Sequence, residues 1–171
     1  MPTRDLLATQ LEYRRPAPDL ERALADLFRH LHETGEDRRF HPHPFTPEAA
    51  RERCAYAGAD VYVVAVAAGR ALGYGMLRGW DEGYEVPSLG IAVHADARGI
   101  GLGRAIMLYL HAEAARRGAP RIRLKVYPDN AAAVPLYRSL GYVFSESLEQ
   151  EQLVGIKTLR PDAARGEKET R

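Results

Sequence analysis

Three glycines at alternate positions, Gly99, Gly101 and Gly103, lie between an extended apolar segment and a helical one. This boundary constrains the fold more than any other feature, because the apolar run 89–93 predicts a strand and the residues after the glycines predict a helix. Glycine lets successive backbone N–H groups point into one concavity without interference from a Cβ atom. The helix N-terminus adds the positive end of its dipole. Residues 98–104 therefore predict a loop that binds a phosphate or pyrophosphate.

The spacing of these glycines excludes the two commonest nucleotide-binding loops. A P-loop ends in Gly-Lys-Ser/Thr, whereas Gly103 is followed by Arg104 and Ala105. The dinucleotide fingerprint G-x-G-x-x-G requires glycine at position 104 or 106, which Arg104 and Ile106 occupy. A glycine turn before an ordinary helix, without any ligand, is the alternative interpretation of the loop alone.

Apolar periodicity and turn residues predict elements in the order β, α, α, three β, α, β, α, β, β. Asp19 and Thr46 are the predicted N-caps of the first two helices. Hairpins make most of the sheet antiparallel, whereas the strand–helix–strand unit 89–126 predicts one parallel pair by crossover. The predicted fold class is therefore α/β, with a mixed, mostly antiparallel sheet of about seven strands flanked by four helices.

Length and hydropathy indicate one soluble domain. A chain of 171 residues suits a single hydrophobic core, and residues 1–160 contain no repeat or linker that would divide them. Residues 161–171 are charged, lack apolar periodicity and are predicted to form a disordered tail. No apolar run approaches the roughly 20 residues of a membrane helix, and the first ten residues lack the apolar region of a signal peptide. We therefore expect a cytoplasmic protein that binds no membrane.

The charge balance and the cysteine content argue against several kinds of binding site. The 24 basic and 23 acidic residues give a net charge of +1, which is not typical of a nucleic-acid-binding protein. The single cysteine, Cys54, cannot form an intramolecular disulfide or a cysteine zinc site. His41 and His43 are close in sequence, but no carboxylate cluster accompanies them, so no metal site is expected.

Two motifs resemble those of the Gcn5-related N-acetyltransferases, the GNAT family. Residues 98–103 resemble motif A, Gln/Arg-x-x-Gly-x-Gly/Ala. Residues 130–142 resemble motif B, Asn-x-x-Ala-x-x-Leu-Tyr-x-x-x-Gly-Phe, with Tyr142 in place of the usual phenylalanine and Pro135 as a less usual feature. The resemblance implies the GNAT fold, with a splay between the fourth and fifth strands, and acetyl-CoA as the acetyl donor.

The resemblance also implies a role for each motif. The strand 89–93 would present its backbone to the acetyl carbonyl and the pantetheine arm, where a backbone N–H stabilises an oxyanion. Tyr137 would protonate the departing thiolate as a general acid, and Asn130 would hydrogen-bond near the pantetheine or an active-site water. Packing of Tyr137 beside Leu136 and Leu140 is the alternative interpretation of that residue alone. The residues that the resemblance assigns to the cofactor are Ile91, Ala92, Val93, Arg98, Gly99, Ile100, Gly101, Leu102, Gly103, Arg104, Asn130 and Tyr137.

No general base lies on the strand before the loop, because none of residues 87–91 can serve as one. An amine is mostly protonated at neutral pH, so a group must accept its proton before or during attack. We predict that Glu85 does so, directly or through water. The other candidates near that strand are Tyr84, Asp81, Glu82 and His94. An acceptor with a low amine pKa would need no protein base.

The loop 40–45 lies where GNAT enzymes form the wall of the acceptor site, between the first two helices. Its aromatic and histidine side chains, with two aromatic residues of the later hairpin, are predicted to shape a pocket for a small polar amine. These predicted acceptor-site residues are Phe40, His41, His43, Phe45, Trp80 and Tyr84. The alternative is that Phe40 and Phe45 only fasten the loop to the core.

The strand after the glycine-loop helix carries three basic residues. Arg121, Arg123 and Lys125 alternate with apolar residues, so they share one face of the strand. Such alternation is more typical of a solvated or ion-paired face than of a binding site, and we predict the former.

The predicted function is direct transfer of an acetyl group from acetyl-CoA to a primary amine of a small molecule in a ternary complex. A protein N-terminus or lysine is the alternative acceptor, although the compact aromatic loop argues against an open groove. A non-catalytic acyl-CoA-binding module is the alternative outside enzymes, and the presence of both Asn130 and Tyr137 favours the enzyme. The edge strands would allow a homodimer.

Overall fold

The computed structural model describes residues 10–160, which form a seven-stranded sheet with helices against both faces. The strands are β1 (Glu12–Arg14), β2 (Val61–Ala67), β3 (Arg70–Arg78), β4 (Ser88–Val93), β5 (Arg121–Val126), β6 (Val143–Glu149) and β7 (Gln152–Thr158). The helices are α1 (Glu21–Glu33), α2 (Pro47–Cys54), α3 (Leu102–Arg116) and α4 (Ala133–Ser139). The predicted order of elements and the mixed sheet are confirmed, whereas the predicted tail 161–171 lies outside the described residues.

The sheet is split between its fourth and fifth strands. The strand order is β1-β2-β3-β4-β5-β7-β6, and every neighbouring pair is antiparallel except β4 and β5. These two parallel strands pair at a single position, Ser88 with Arg123. Next to it the N–H of Arg123 donates to the carbonyl of Pro87 at 3.0 Å. Beyond this point β4 and β5 diverge, which is the predicted splay.

Two hydrophobic cores lie on opposite faces of the sheet. α1 and α2 cover one face, and α3 and α4 cover the other. The buried residues of α1 follow the i, i+3, i+4, i+7 spacing that puts apolar side chains on one side of a helix. They are Leu24, Leu27, Phe28 and Leu31. Because β2 is covered on both faces, all its residues are buried and its sequence is apolar throughout.

β5 buries one face only. Its three buried residues are apolar and belong to the core beneath α3, whereas the alternate residues are partly exposed. On the exposed side, Arg123 and Lys125 both pair with Glu149 of β6, at 2.5 and 3.2 Å. The predicted ion-paired face is therefore confirmed for these two residues.

The two predicted helix caps have different outcomes. The hydroxyl of Thr46 accepts a hydrogen bond from the N–H of Ala49 at 3.2 Å, which confirms Thr46 as the N-cap of α2. Asp19 does not cap α1, because it lies within a 3₁₀ turn before the helix and pairs with Arg14 at 2.7 Å. That turn continues directly into α1, so the N-cap is Leu20, without a side-chain hydrogen bond.

α3 packs closely on β3 because that strand has glycine where the helix crosses it. A Cβ atom at Gly75 would lie 2.7 Å from Cγ2 of Ile106 and 3.0 Å from Cδ1 of Leu110, both in α3. Val63 of β2 closes a third side at 3.1 Å. The missing side chain at Gly75 therefore sets the depth of α3 and, with it, the position of the glycine loop at the N-terminus of that helix.

We predict that Gly75→Ala lowers the free energy of unfolding by about 1–3 kcal/mol, because the methyl group overpacks a closed site. Ile106→Ala alone leaves a cavity and lowers it by about 2–5 kcal/mol. The double variant should lose less than the sum, since the smaller side chain makes room for the new methyl group. Urea unfolding of the four proteins measures this coupling. Strictly additive losses would contradict the packing.

Candidate active site

The predicted phosphate-binding loop opens at the N-terminus of α3. Gly101 is the N-cap residue, with φ of +87°, and no side chain caps the helix. Gly99 has φ of +74°. A Cβ atom built at either glycine would meet nothing within 4 Å, so the space beside the loop is open. The first N–H groups of a helix lack intrahelical acceptors, and here they border a space that can hold a pyrophosphate.

The glycine loop forms one end of a groove of about 600 Å³, which we call the main groove. β4, the start of α3, the end of β5 and the start of α4 form its walls. Its arginines are Arg39, Arg98 and Arg104. Their polar partners include Asp129 at 3.3 Å, Glu36 at 3.0 Å and the hydroxyl of Ser139 at 2.6 Å, respectively. The loop is therefore flanked by positive charge that the protein holds in place.

The splay leaves one edge of β4 open to the main groove. The N–H of His94 donates to the carbonyl of Leu72 at 2.8 Å, and β4 pairs with β3 along its whole length. Bonded residues alternate along an antiparallel pair, so the backbone groups of residues 88, 90 and 92 face β3, and those of 89, 91 and 93 face the splay. Among the described strands, none pairs with Ile91 on that side. Its N–H is therefore available to a ligand.

Tyr137 of α4 lines the same groove. Its side chain is 8% exposed and belongs to the core beneath α3, and burial raises the pKa of the phenol to about 12. No residue within 10–160 bonds its hydroxyl, which opens to the main groove. Tyr137 thus packs in the core, as the alternative interpretation of this residue describes, and it also lines the main groove.

A second tyrosine supports the first. The ring of Tyr142 lies 5.9 Å from that of Tyr137, at an angle of 56°. Its hydroxyl shares a buried hydrogen bond of 2.8 Å with Nε2 of His111. Burial lowers the pKa of His111 to about 4, so the imidazole is neutral near pH 7. The departure from the motif at position 142 is therefore explained, because His111 satisfies the additional hydroxyl.

Asn130 lines the main groove close to the start of α4. Its side-chain oxygen accepts a hydrogen bond from the N–H of Ala133 at 3.1 Å, so it stabilises the turn that leads into the helix. The amide NH₂ group, which carries two donors, remains for a ligand in the groove.

Phe40 separates the main groove from a second cavity of about 360 Å³. A Cβ atom at Gly90 would overlap the Phe40 ring, so the ring lies directly on the backbone of β4. Phe40, Leu89 and Gly90 line both spaces. The polar residues of the second cavity are Arg78, Glu82, Tyr84, Ser88 and Arg123. The two spaces therefore meet at the open edge of β4.

The rest of the predicted acceptor loop is placed differently. Phe45 is 6% exposed in the core beneath α1, and His43 packs beside it with Nε2 bonded to the hydroxyl of Tyr74 at 3.0 Å. His41 is exposed, and its Nδ1 lies 3.1 Å from the carbonyl oxygen of Asp37. The alternative interpretation, a loop fastened to the core, thus describes Phe45, while Phe40 lines both spaces.

Glu85 and Trp80 line a third cavity, of about 550 Å³, together with Arg117. Neither Tyr137 nor Phe40 lines it. The structure therefore does not bring the predicted base to the main groove or to the second cavity.

Glu82 lies three residues earlier in the same loop and lines the second cavity. Gly83 between them has φ of +83° in a turn that its N–H closes on the carbonyl of Trp80 at 3.1 Å, and the two carboxylates line different cavities. Tyr84 is 65% exposed and lines both of those cavities. Glu82 is thus the candidate base that the structure brings to the open edge of β4.

The remaining candidate bases have structural partners. His94 stacks on His30 with ring centroids 3.6 Å apart, and its Nδ1 accepts from the N–H of Asp96 at 3.1 Å. Asp81 accepts hydrogen bonds from the hydroxyl of Tyr56 and the N–H of Ala59. Neither His94 nor Asp81 lines the main groove or the second cavity.

Sequence reasoning did not identify Arg78 as a site residue. Its Nη1 donates to the carbonyl of Pro42 at 2.8 Å, which ties the loop with Phe40 to the end of β3. The sequence indicates only that Arg78 lies at the end of a strand that is followed by β4 in a hairpin. Register across the sheet, which decides its neighbours, is not readable from that position alone.

The polar groups of the main groove include backbone N–H groups, arginines, a lysine, an amide and a phenol, a set that suits a phosphate-bearing ligand, and its one carboxylate among the described residues, Glu36, pairs with Arg98. Within residues 10–160, no three His, Cys, Asp or Glu side chains are grouped so that they could hold a metal ion. The helices of this part of the chain are too short or too polar to cross a membrane.

Comparison with known proteins supports the same assignment. The model of the acetyltransferase (GNAT) family matches residues 22–142. An acetyltransferase from Sodalis glossinidius is 33% identical over 102 residues, which cover 60% of this chain and 70% of the relative. The structure of a GCN5-related N-acetyltransferase from Kribbella flavida has a TM-score of 0.72 and 27% identity, and the match covers 87% of this chain and 98% of that one.

A Salmonella typhimurium protein solved with its cofactor acetyl-CoA has the same fold, with a TM-score of 0.68 and 18% identity over 88% of this chain and 95% of its own. The family match runs from α1 through both motifs. It therefore includes the glycine loop, the open edge of β4 and Tyr137. This chain belongs to the acetyltransferase (GNAT) family.

Proposed function

We propose that this acetyltransferase moves an acetyl group from acetyl-CoA to a primary amine of a small molecule, with both substrates bound at once. The proposal rests on one observation: the main groove is lined by the glycine loop, the open edge of β4 and Tyr137. Direct transfer requires a site that holds the donor, stabilises charge on its carbonyl and protonates its thiolate.

The glycine loop is the proposed binding site for the pyrophosphate of acetyl-CoA. The backbone N–H groups of residues 99–104 would donate to it, and Arg98 and Arg104 would add charge. Ile91, Ala92 and Val93 line the groove where the pantetheine arm would run. The free NH₂ of Asn130 would bond to that arm or to a water. Acetyl-CoA in the Salmonella typhimurium protein of the same fold supports this choice of donor.

The reaction forms one bond and breaks one. The amine nitrogen bonds to the acetyl carbon and loses a proton, while the bond from that carbon to sulfur breaks and the thiolate gains a proton. The N–H of Ile91 lies on the edge where it can stabilise the negative charge that develops on the carbonyl oxygen. The raised pKa keeps the Tyr137 phenol protonated near pH 7, so it is available as the donor to sulfur.

Glu82 is the proposed acceptor of the amine proton, directly or through one water. It lines the second cavity, which meets the main groove at Phe40 and Gly90. An amine bound in the second cavity would therefore lie beside the carboxylate, and Phe40, Leu89 and Gly90 would border both this amine and the thioester. Glu85 lines the third cavity, which shares no lining residue with the main groove.

The size of the second cavity favours a small acceptor. Its volume of about 360 Å³ lies near the lower end of the range for small-molecule sites, roughly 300–1,000 Å³. Phe40 and Pro42 of the α1–α2 loop form part of its wall.

We predict that Gly101→Ala raises the Kd for CoA about tenfold or more, because the new Cβ occupies the open cradle beside the loop. Gly118→Ala is the matched control: φ is +83° there, at the other end of α3. Both changes strain the backbone by about 1–2 kcal/mol. Calorimetry with CoA separates the two, and equal affinities for both variants would contradict the assignment of the loop.

We predict that Tyr137→Phe lowers kcat for acetyl transfer about 10- to 100-fold or more and leaves the Kd for acetyl-CoA nearly unchanged, since only the proton donor is lost. Tyr142→Phe is the control, because it removes a buried hydroxyl from the adjacent ring and should reduce stability but retain most activity. Free-thiol release from acetyl-CoA with pooled amines measures both. Equal rates for wild type and Tyr137→Phe would remove the phenol from the mechanism.

We predict that Glu82→Gln lowers kcat/KM about 100-fold at neutral pH, whereas Glu85→Gln stays within a few-fold of wild type, because only the first carboxylate lines the second cavity. Raising the pH should restore part of the Glu82→Gln activity, since more of the amine is then unprotonated. Rates from pH 6 to 10 measure this. The reverse order of the two variants would return the role to Glu85.

A further inference from the structure

We propose that the second cavity selects an amine acceptor that also carries a carboxylate, as a short amino acid does, and that Arg78 with Arg123 binds this carboxylate. The inference deepens the proposed acetyl transfer and rests on it. It concerns the acceptor end of the site, which neither the family match nor the structural neighbours define.

Register brings the two guanidinium groups to one side of the sheet. Arg78 of β3 is opposite Ser88 of β4, and Ser88 is opposite Arg123 of β5. Side chains that face each other across paired strands point to the same face. Arg78, Ser88 and Arg123 therefore form a row across three strands, and all three line the second cavity.

Arg78 has no carboxylate partner within residues 10–160. Its Nη1 donates to the carbonyl of Pro42, and its buried Nε has no acceptor at all. Buried polar groups are normally satisfied, and buried cations are normally paired. A partly buried guanidinium without a counterion, at the wall of a cavity, is suited to bind an anionic ligand.

Arg123 is paired with protein, but the charge there is not balanced. Arg123 and Lys125 share one carboxylate, that of Glu149, at 2.5 and 3.2 Å. Glu149 is about half exposed, at 52%. With Arg78, there are three cations on this side of the sheet to the one Glu149 carboxylate that Arg123 and Lys125 share, so positive charge is in excess. Glu82 lines the same second cavity and supplies a negative charge there. A zwitterion, with an ammonium and a carboxylate, matches both signs of charge.

The span between the two ends of the site also fits a short amino acid. The row of arginines lies level with Ser88, and Phe40 lies on Gly90, two residues along β4. Two residues of a strand cover roughly 6–7 Å. A carboxylate held at the row would therefore place an amine a few bonds away at the open edge of β4, where the thioester carbonyl is proposed to lie.

The test compares amino acids with their carboxamides on the wild-type protein. The panel contains α-, β- and γ-amino acids, each beside the amide that keeps its size and removes its charge, and amines with no carboxylate. The amide has the less basic amine, so intrinsic reactivity near pH 7 favours it. We expect at least one acid to be acetylated with a kcat/KM about tenfold or more above that of its amide.

Arg78→Gln should lower kcat/KM for that acid about 10- to 100-fold and for its amide less than threefold, because only the acid loses a charge-assisted hydrogen bond. Arg123→Gln should have the same selectivity with a smaller loss, which keeps the test valid if Arg78→Gln folds poorly. Arg51→Gln is the control, since Arg51 is exposed on α2 and pairs with Glu21.

Every other outcome contradicts either the carboxylate site or the proposed function. If amides or plain amines are acetylated as efficiently as the acids, the carboxylate site is overturned, but acetyl transfer is retained. An equal loss on acid and amide in Arg78→Gln would also overturn it, because the arginine would then act on the fold alone. If no acceptor of the panel is acetylated while calorimetry still detects binding of acetyl-CoA, the carboxylate site would be overturned as well. Absence of acetyl-CoA binding would instead be a failure of the proposed function.

Discussion

The separation of β4 from β5 after one paired position is the constraint on which the site depends. An open strand edge inside a sheet leaves backbone groups without partners, and each such group that is buried destabilises a fold by about 1–3 kcal/mol. The gap persists because each half of the sheet is closed by its own pairing. β4 is bonded to β3 along its length, and β5 is bonded to β7 from Arg121 to Val126. α3 packs on Gly75 of β3 and holds the first half in place.

The contact between Phe40 and Gly90 joins the two ends of the site. Because Gly90 has no side chain, the ring of Phe40 rests on β4 and forms a wall of both the main groove and the second cavity. The loop that carries Phe40 is held by Arg78, which donates to Pro42. Arg78, which is proposed to bind the acceptor, thus also positions the ring of Phe40, which borders both the main groove and the second cavity.

How much of this could be predicted depends on the range of the interactions involved. The glycine loop and the Thr46 cap are set by residues within a few positions of one another, and the sequence was sufficient for both. The prediction of Asp19 as a cap was wrong because Asp19 lies in a 3₁₀ turn before α1. The spacing of apolar residues does not distinguish such a turn from the first turn of an α-helix. Glu82 and Glu85 lie three residues apart in one loop, and their spacing in sequence does not show which cavity each of them lines. The row that contains Arg78 depends on register across three strands, which no local pattern encodes.

The distribution of satisfied polar groups is itself an argument for this location of the site. Polar side chains that support the fold have partners within the protein. Asp60 accepts hydrogen bonds from three successive N–H groups, those of Gly79, Trp80 and Asp81, at 2.9, 2.9 and 3.3 Å. These bonds fix the loop that carries Glu82. The Tyr142 hydroxyl is satisfied by His111 in the same way. Arg78 Nε is buried without an acceptor at the wall of the second cavity, and no residue within 10–160 bonds the hydroxyl of Tyr137, which lines the main groove. Arg53 Nε is also buried without an acceptor, but the guanidinium of Arg53 packs on the rings of Tyr56 and Tyr62 and donates to the Tyr62 hydroxyl. Polar groups without a protein partner at the walls of two adjoining cavities are the pattern expected where a ligand provides the missing partners.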